Sequence, residues 1–110
     1  MRQSHTAVVE RDVTWTGAFE TEPYEAAWAS EAIYFIRFMA AEGDAAGGCA
    51  RVQISADGMH WCDEGASVEF AGDAEVVFVR VRHFGTYLRL TGDLPAGASA
   101  RVLVSLTLKS

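Results

Sequence analysis

Residues 51–58, Arg-Val-Gln-Ile-Ser-Ala-Asp-Gly, alternate polar and apolar side chains and then end in an Asp-Gly pair. Alternation over a short stretch is typical of a half-buried β-strand, in which successive side chains point to opposite faces. An Asp-Gly pair favours the positive-φ conformations that reverse the chain between antiparallel strands. The stretch therefore predicts a strand followed by a tight turn, with Val52 and Ile54 directed into the core.

The same alternation recurs along the chain and predicts about eight strands. It is found at residues 9–15, 31–41, 68–70, 76–82, 87–90 and 101–108, separated by segments rich in Gly and Asp. Short strands at regular spacing indicate an all-β protein, and we expect one domain, residues 1–110, folded as an antiparallel β-sandwich of the jelly-roll type. Residues 21–30 are ambiguous, because Pro23 suits the start of a short helix as well as a loop.

Composition and charge exclude several classes of partner. The 110 residues are 50% apolar and 22% charged, which fits a globular domain, and the formal net charge is −6. A protein that tracks phosphates needs a basic stripe, so we expect no nucleic-acid partner. No run of about 18 apolar residues is present, so we expect no membrane insertion. No signal peptide is visible, which predicts a cytoplasmic or particle-associated protein, or one that leaves the cell by a route other than a cleaved signal, of which lysis is one.

Two segments carry a resemblance to a known family. Residues 52–61 end in Ser-Ala-Asp-Gly-Met-His-Trp, and residues 84–90 read Phe-Gly-Thr-Tyr-Leu-Arg-Leu. Together they resemble discoidin-like (galactose-binding-like) jelly-roll domains, with Tyr87 and Arg89 matching and Thr86 standing where that family has arginine. The resemblance implies a β-sandwich whose loops at one end bind glycans, lipid head groups or proteins.

A glycan-binding role would use aromatic side chains that stack on sugar rings. The candidate ligand-binding residues are Trp15, Tyr24, Trp28 and Arg89. Structural roles are favoured for the residues of the two family-like segments: a two-residue turn at 57–58 would place Trp61 opposite Ile54, where it closes the core.

No catalytic motif is present, and we predict that the protein is not an enzyme and needs no cofactor. There is no G-x-S-x-G or H-E-x-x-H sequence, and the three histidines, His5, His60 and His83, are scattered and read as ordinary surface residues. In the expected hairpin Cys49 and Cys62 lie about 13 Å apart, too far for a disulfide, so free thiols are predicted.

Metal binding is also not expected. Two cysteines and three scattered histidines do not give a zinc spacing. Six acidic residues in loops could hold calcium, but aspartate is a common turn residue and solvated turns explain them better. These residues are Asp44, Asp57, Asp63, Glu64, Asp73 and Asp93.

Several strands are apolar on both faces, which a simple sandwich does not require. Either the N-terminal segment and residues 21–30 cover the second face, or another subunit does. We predict a homo-oligomer or larger assembly that uses this face, with Tyr34, Ile36, Phe38, Phe78 and Leu103 as interface residues. The leading hypothesis is a structural or attachment component, such as a particle-surface or decoration protein, and the alternative is a glycan-binding module.

Overall fold

The computed structural model describes residues 3–82 and 84–110. His83, predicted to be an ordinary surface residue, lies outside the described residues, as do residues 1 and 2. The strands are β1 (Ser4–Thr16), β2 (Ala18–Glu20), β3 (Tyr24–Glu25), β4 (Glu31–Glu42), β5 (Cys49–Ser55), β6 (Cys62–Glu69), β7 (Val76–Arg82), β8 (Tyr87–Asp93) and β9 (Ser99–Lys109), with one 3₁₀ turn at Ala45–Gly47.

The strands form two antiparallel sheets. The first has the order β1-β9-β4-β7, and the second has the order β2-β8-β5-β6 with β3 also paired to β8. The chain crosses repeatedly from one sheet to the other, and only the β2–β3 and β5–β6 connections stay within a sheet. The predicted all-β antiparallel sandwich is therefore confirmed, and residues 3–82 and 84–110 form nine strands where about eight were expected.

The core lies between the two sheets and is built from alternate residues of the long strands. Strand β9 buries Val102, Val104, Leu106 and Leu108, and β7 buries Val77, Val79 and Val81. The five-stranded sheet contributes Val52, Leu88 and Leu90 from its central strands. These are the positions that the period-two pattern directs inward, because successive side chains of a strand point to opposite faces.

Strand β4 has the reverse orientation to the one predicted. Tyr34 and Ile36 are fully buried, and Phe38 is half-buried with its ring packed edge-on against Phe70. The prediction that these three residues form an outer interface is therefore wrong. Alternation defines two faces but does not say which one is inside, and here the face is set by the register that pairs Ile36 with the inward Val77 and Val104.

The ambiguous segment at residues 21–30 is neither a helix nor a cover for the first sheet. Tyr24 and Glu25 pair with Leu88 and Tyr87 as a short strand at the edge of the second sheet. Ala26 is buried in the core. The N-terminal segment is strand β1 itself, so neither segment lies over the outer face of the four-stranded sheet.

The turn after β5 is longer than two residues. Ile54 pairs with Cys62, so the expected partnership of Trp61 with Ile54 is wrong by one position. The Ser55 hydroxyl accepts the backbone N–H groups of Asp57 and Gly58, which fixes a wider loop before the chain can turn back. Cys49 and Cys62 are unbridged, as predicted.

Candidate interaction surface

The outer face of the four-stranded sheet carries a continuous group of apolar side chains, which we call the apolar face. Its members all point away from the core and are half-buried or exposed: Val8, Ile33, Phe35, Val76, Phe78 and Leu103. Cross-strand register joins Val8, Ser105, Phe35 and Phe78 into one row that runs over all four strands. Phe78 and Val76 are each 49% exposed, although they belong to regular strand.

Phe35 and Phe78 are the centre of the apolar face. Their ring centroids are 6.3 Å apart with the planes tilted by 42°. The guanidinium carbon of Arg80 lies 5.3 Å from the centroid of Phe78, within the range of a cation–π contact. These side chains, with Ile33, line an open groove of about 400 Å³ whose end carries Glu31 and Arg82.

The same sheet is more basic than the rest of the molecule. Its four strands carry six Lys or Arg and four Asp or Glu residues, whereas the whole chain has an excess of six acidic residues. Within the part of the chain that the structure describes, Arg37, Arg80 and Arg82 make no ion pair. The apolar face is thus bordered by guanidinium groups that form no ion pair within the described residues, with Glu31 opposite Arg82 in the strand register.

The outer face of the five-stranded sheet is polar and internally satisfied. Arg89 donates to Glu20 at 2.9 Å and to Gln53 at 2.9 Å, and Gln53 donates to Asp63 at 3.0 Å. The Arg89 guanidinium also lies 4.3 Å from the centroid of the half-buried Trp61 ring. Because Arg89 is itself held by Glu20 and Gln53, its contact with the Trp61 ring fixes the position of the loop around Trp61.

The loop at residues 55–61 is built around the carboxylate of Asp57. That carboxylate accepts the backbone N–H groups of Met59 and His60, each at 2.9 Å, and contacts His60 Nδ1 at 2.7 Å. The bonds from the His60 backbone and ring, and then from Met59, hold the pKa of Asp57 well below its usual range. The arrangement explains the Asp-Gly sequence as loop architecture, with Gly58 at a φ of +79°.

The structure does not bring the four predicted ligand-binding residues together. Trp15 is buried, and its ring stacks on Phe19 at 3.8 Å, so the prediction that it contacts a ligand is wrong. Tyr24 packs against the core, and Arg89 is held by its partners on the polar outer face of the five-stranded sheet. Trp28 is 42% exposed, in the segment between β3 and β4.

The predicted interface residues divide into two groups. Tyr34, Ile36 and Phe38 face inward, whereas Phe78 and Leu103 belong to the apolar face. Ile33 and Phe35 were not among the predicted interface residues, although the sequence indicated that they face solvent. Glu31 and Arg37 alternate along the strand on the same face as these two residues, and charged residues at the ends of a strand mark its solvent side.

The described residues give no sign of a metal centre or a spanning helix. Within residues 3–82 and 84–110, no three His, Cys, Asp or Glu side chains are placed to hold a metal ion. Among the same residues, no helix is long and apolar enough to cross a bilayer.

The architecture is shared with several solved structures. No protein-family model matches the chain, and no curated protein matches it. The SPBc2 prophage-derived protein YomS superposes with a TM-score of 0.70 at 8% identity, covering 100% of this chain and 96% of that one. The PBSX exported protein XepA gives 0.69 at 11% identity, covering 94% of this chain and 36% of that one.

A third structure, of the disulfide-linked pili described as Bacillus endospore appendages, gives a TM-score of 0.53 at 13% identity, covering 99% of this chain and 85% of that one. At such low identities the likeness shows the fold alone. The discoidin-like resemblance agrees with the structure at the same level, that of an all-β sandwich.

Proposed function

We propose that the protein is a non-catalytic structural or attachment component that acts through surface binding and self-assembly, as a particle-surface or decoration protein does. The observation that carries this proposal is the apolar face of the four-stranded sheet. Large apolar side chains such as Phe78 and Val76 lie there in regular strand and face solvent. Contiguous apolar patches on soluble proteins mark surfaces that bind other macromolecules.

The contrast between the two sheets supports the proposal. On the polar outer face of the five-stranded sheet both arginines are paired, Arg51 with Asp93 and Arg89 with Glu20. The apolar face instead combines phenylalanine rings with free arginine side chains, the composition that is enriched at protein–protein interfaces. A partner that buries this face would supply apolar side chains against Phe35 and Phe78 and carboxylates against the arginines.

The fold comparisons favour the same class of function. One of the proteins with this architecture is named as prophage-derived, a second is named as an exported protein, and a third forms disulfide-linked pili on endospores. Such a likeness supports a phage-related or structural role, in which this protein is particle-associated, without identifying a partner.

Sedimentation velocity over a wide range of protein concentration tests the proposal. We expect the weight-average mass to rise above that of the monomer, and Leu103→Glu to remove the largest species because it places a carboxylate on the apolar face. Ser67→Glu, on the exposed outer face of β6, is the matched control and should leave the distribution unchanged. A wild-type protein that remains monomeric at the highest concentration would contradict self-assembly.

A glycan-binding module is the second candidate, and the exposed Trp28 is the observation that favours it. An indole ring with a free face stacks well on the apolar side of a sugar ring. A glycan array probed with the wild type and with Trp28→Ala tests this candidate. Binding that is lost in the variant would support it, and an array without binders would remove it.

A further inference from the structure

Strand β7 is an edge strand whose pairing with its neighbour is uninterrupted, and its charged residues are Arg80 and Arg82. In the described part of the chain it pairs with β4 alone, and the register runs without a break from Glu31 opposite Arg82 to Arg37 opposite Val76. It is seven residues long, contains no proline or lysine, and alternates regularly between exposed and buried residues. Its free side therefore presents a straight row of backbone N–H and C=O groups.

The other sheet edges are interrupted. Strand β1 has two register shifts against β9, between Val8 and Val13, and Asp12 in it has a positive φ of 58°. Strand β6 has a register shift against β5, opposite residues 51–53. Strands β2 and β3 are only three and two residues long. Bulges, short strands and charged side chains are devices that prevent edge-to-edge pairing. Strand β7 has no bulge, and its charged residues, Arg80 and Arg82, both lie in its C-terminal half, so its edge is open to a partner that can accommodate them.

We propose that β7 pairs antiparallel with β7 of a second copy of this chain, about a twofold axis at Val79. This inference rests on the proposed function, because it identifies how self-assembly begins. In this register Phe78 lies opposite Arg80 of the second copy, Val76 opposite Arg82, and the inward Val77 opposite Val81. Each exposed arginine thus faces an apolar side chain, and Phe78 receives a second guanidinium group.

The charges of the outward side chains, and the faces on which the side chains lie, favour this register over the neighbouring registers. Moving the axis to Arg80 would place two Arg80 side chains directly opposite each other, which is repulsive. A shift by one residue would put the outward side chains of one copy beside the inward side chains of the other. Moving the axis to Phe78 leaves only residues 76–80 of β7 paired, whereas the Val79 axis pairs all seven.

The resulting dimer has a continuous eight-stranded sheet. Both copies present the apolar face on the same side of it, so the half-buried Phe35 and Leu103 stay uncovered on that side and the apolar area available to a particle surface is doubled. Dimer formation depends on the β7 edge, Val76 and Phe78 included, whereas Phe35 and Leu103 contribute only to binding through the apolar face.

Substitutions at Val76 test the pairing, because its side chain is exposed and contributes little to the core. Val76→Lys places an ammonium group opposite Arg82 of the second copy and should weaken the dimer about tenfold. Val76→Glu places a carboxylate there and should strengthen the dimer relative to Val76→Lys. Val8→Lys is the control, since Val8 is similarly exposed on the same face but lies on the opposite edge, on β1.

Sedimentation equilibrium gives the dimer constants, and circular dichroism melts confirm that each variant is folded. Concentration-dependent hydrogen-exchange protection of β7 amides, without the same change in β1, is the second expected result. A wild-type dimer that Val76→Lys leaves intact would overturn edge pairing while leaving the proposed function in place, the more so if Leu103→Glu disrupts it. A wild-type protein that is monomeric throughout would overturn both.

Discussion

The hydroxyl group of Tyr34 lowers the stability that the buried ring of the same residue provides. Its ring fills the core between the sheets, but its hydroxyl is buried without a hydrogen-bond partner among the described residues. Burial raises the pKa of this phenol well above its ordinary value, because the phenolate would lose its hydration. The hydroxyl therefore costs stability at neutral pH and more at alkaline pH.

Tyr34→Phe should stabilise the protein by about 1 kcal/mol at neutral pH, since it removes an unsatisfied polar group and keeps the ring. In urea unfolding, Tyr87→Phe on the outer face is the control and should change the free energy of unfolding by less than about 0.5 kcal/mol. A loss of stability in Tyr34→Phe would show that the hydroxyl has a partner, such as a buried water.

Tyr34 also makes the free energy of unfolding depend on pH, and Tyr34→Phe removes this dependence. The unfolded chain releases the Tyr34 proton near the ordinary tyrosine pKa of about 10, whereas the folded chain retains it. Stability therefore falls as the pH rises above about 10, by up to about 1.4 kcal/mol per pH unit from this group. The difference in stability between Tyr34→Phe and the wild type should widen over this range.

At the scale of the strand, β8 depends on a glycine at a position that faces inward. Gly92 pairs with Phe19 of β2 and Ala50 of β5, and the Phe19 ring lies directly over it. A Cβ at this position would lie 2.5 Å from Phe19 Cζ and would overlap the carbonyl oxygen of Cys49. Neither a packed ring nor a strand backbone can yield by that much without loss of packing.

Gly92→Ala should therefore lower the free energy of unfolding by about 2 kcal/mol or more. Gly72→Ala is the matched control, because its added methyl group would meet only the Ala46 side chain at 3.4 Å in an exposed loop. Thermal melts of the two variants compare the sites directly. Equal stabilities would mean that β2 and its phenylalanine are free to move away from β8.

At the scale of the whole molecule, aromatic rings join the two sheets at one end. Trp15 from β1 stacks on Phe19 from β2, and Phe70 lies beside both, with ring centroids 6.4 Å and 6.3 Å away. Phe38 from β4 meets Phe70 edge-on at 5.1 Å. The cluster therefore holds the four-stranded and five-stranded sheets together as one cooperative unit.

Phe70→Ala should cost about 3–5 kcal/mol, a large fraction of the stability of a small domain. Phe78→Ala removes the same side chain from the apolar face, where the ring is 49% exposed, and should cost less than about 1 kcal/mol. Urea unfolding followed by circular dichroism measures both. A large cost for Phe78→Ala would mean that the apolar face serves stability, which would weaken its assignment as a binding surface.

The prediction from sequence succeeded where a residue pattern has one physical meaning. Alternation in β5, β7 and β9 identified both the strands and their buried residues, because charged or hydroxyl side chains mark the outer face of each. It failed in β4, where both faces are apolar, and at Trp15, whose aromatic ring suits a sugar site as well as a core. The loop at 55–61 was misjudged because backbone N–H groups that donate to the Ser55 hydroxyl and the Asp57 carboxylate, not the Asp-Gly pair alone, set its length.

The sequence by itself determined the all-β class, the antiparallel sandwich, the unbridged cysteines and the presence of more apolar strand surface than one core can bury. These follow from local periodicity, turn chemistry and spacing, which act over a few residues. Only the tertiary structure decided which face of β4 is outside, that Phe35 and Phe78 meet there, and that β7 is an uninterrupted edge strand. Such features arise from pairing between distant segments, because strand order and register are set by the whole sheet.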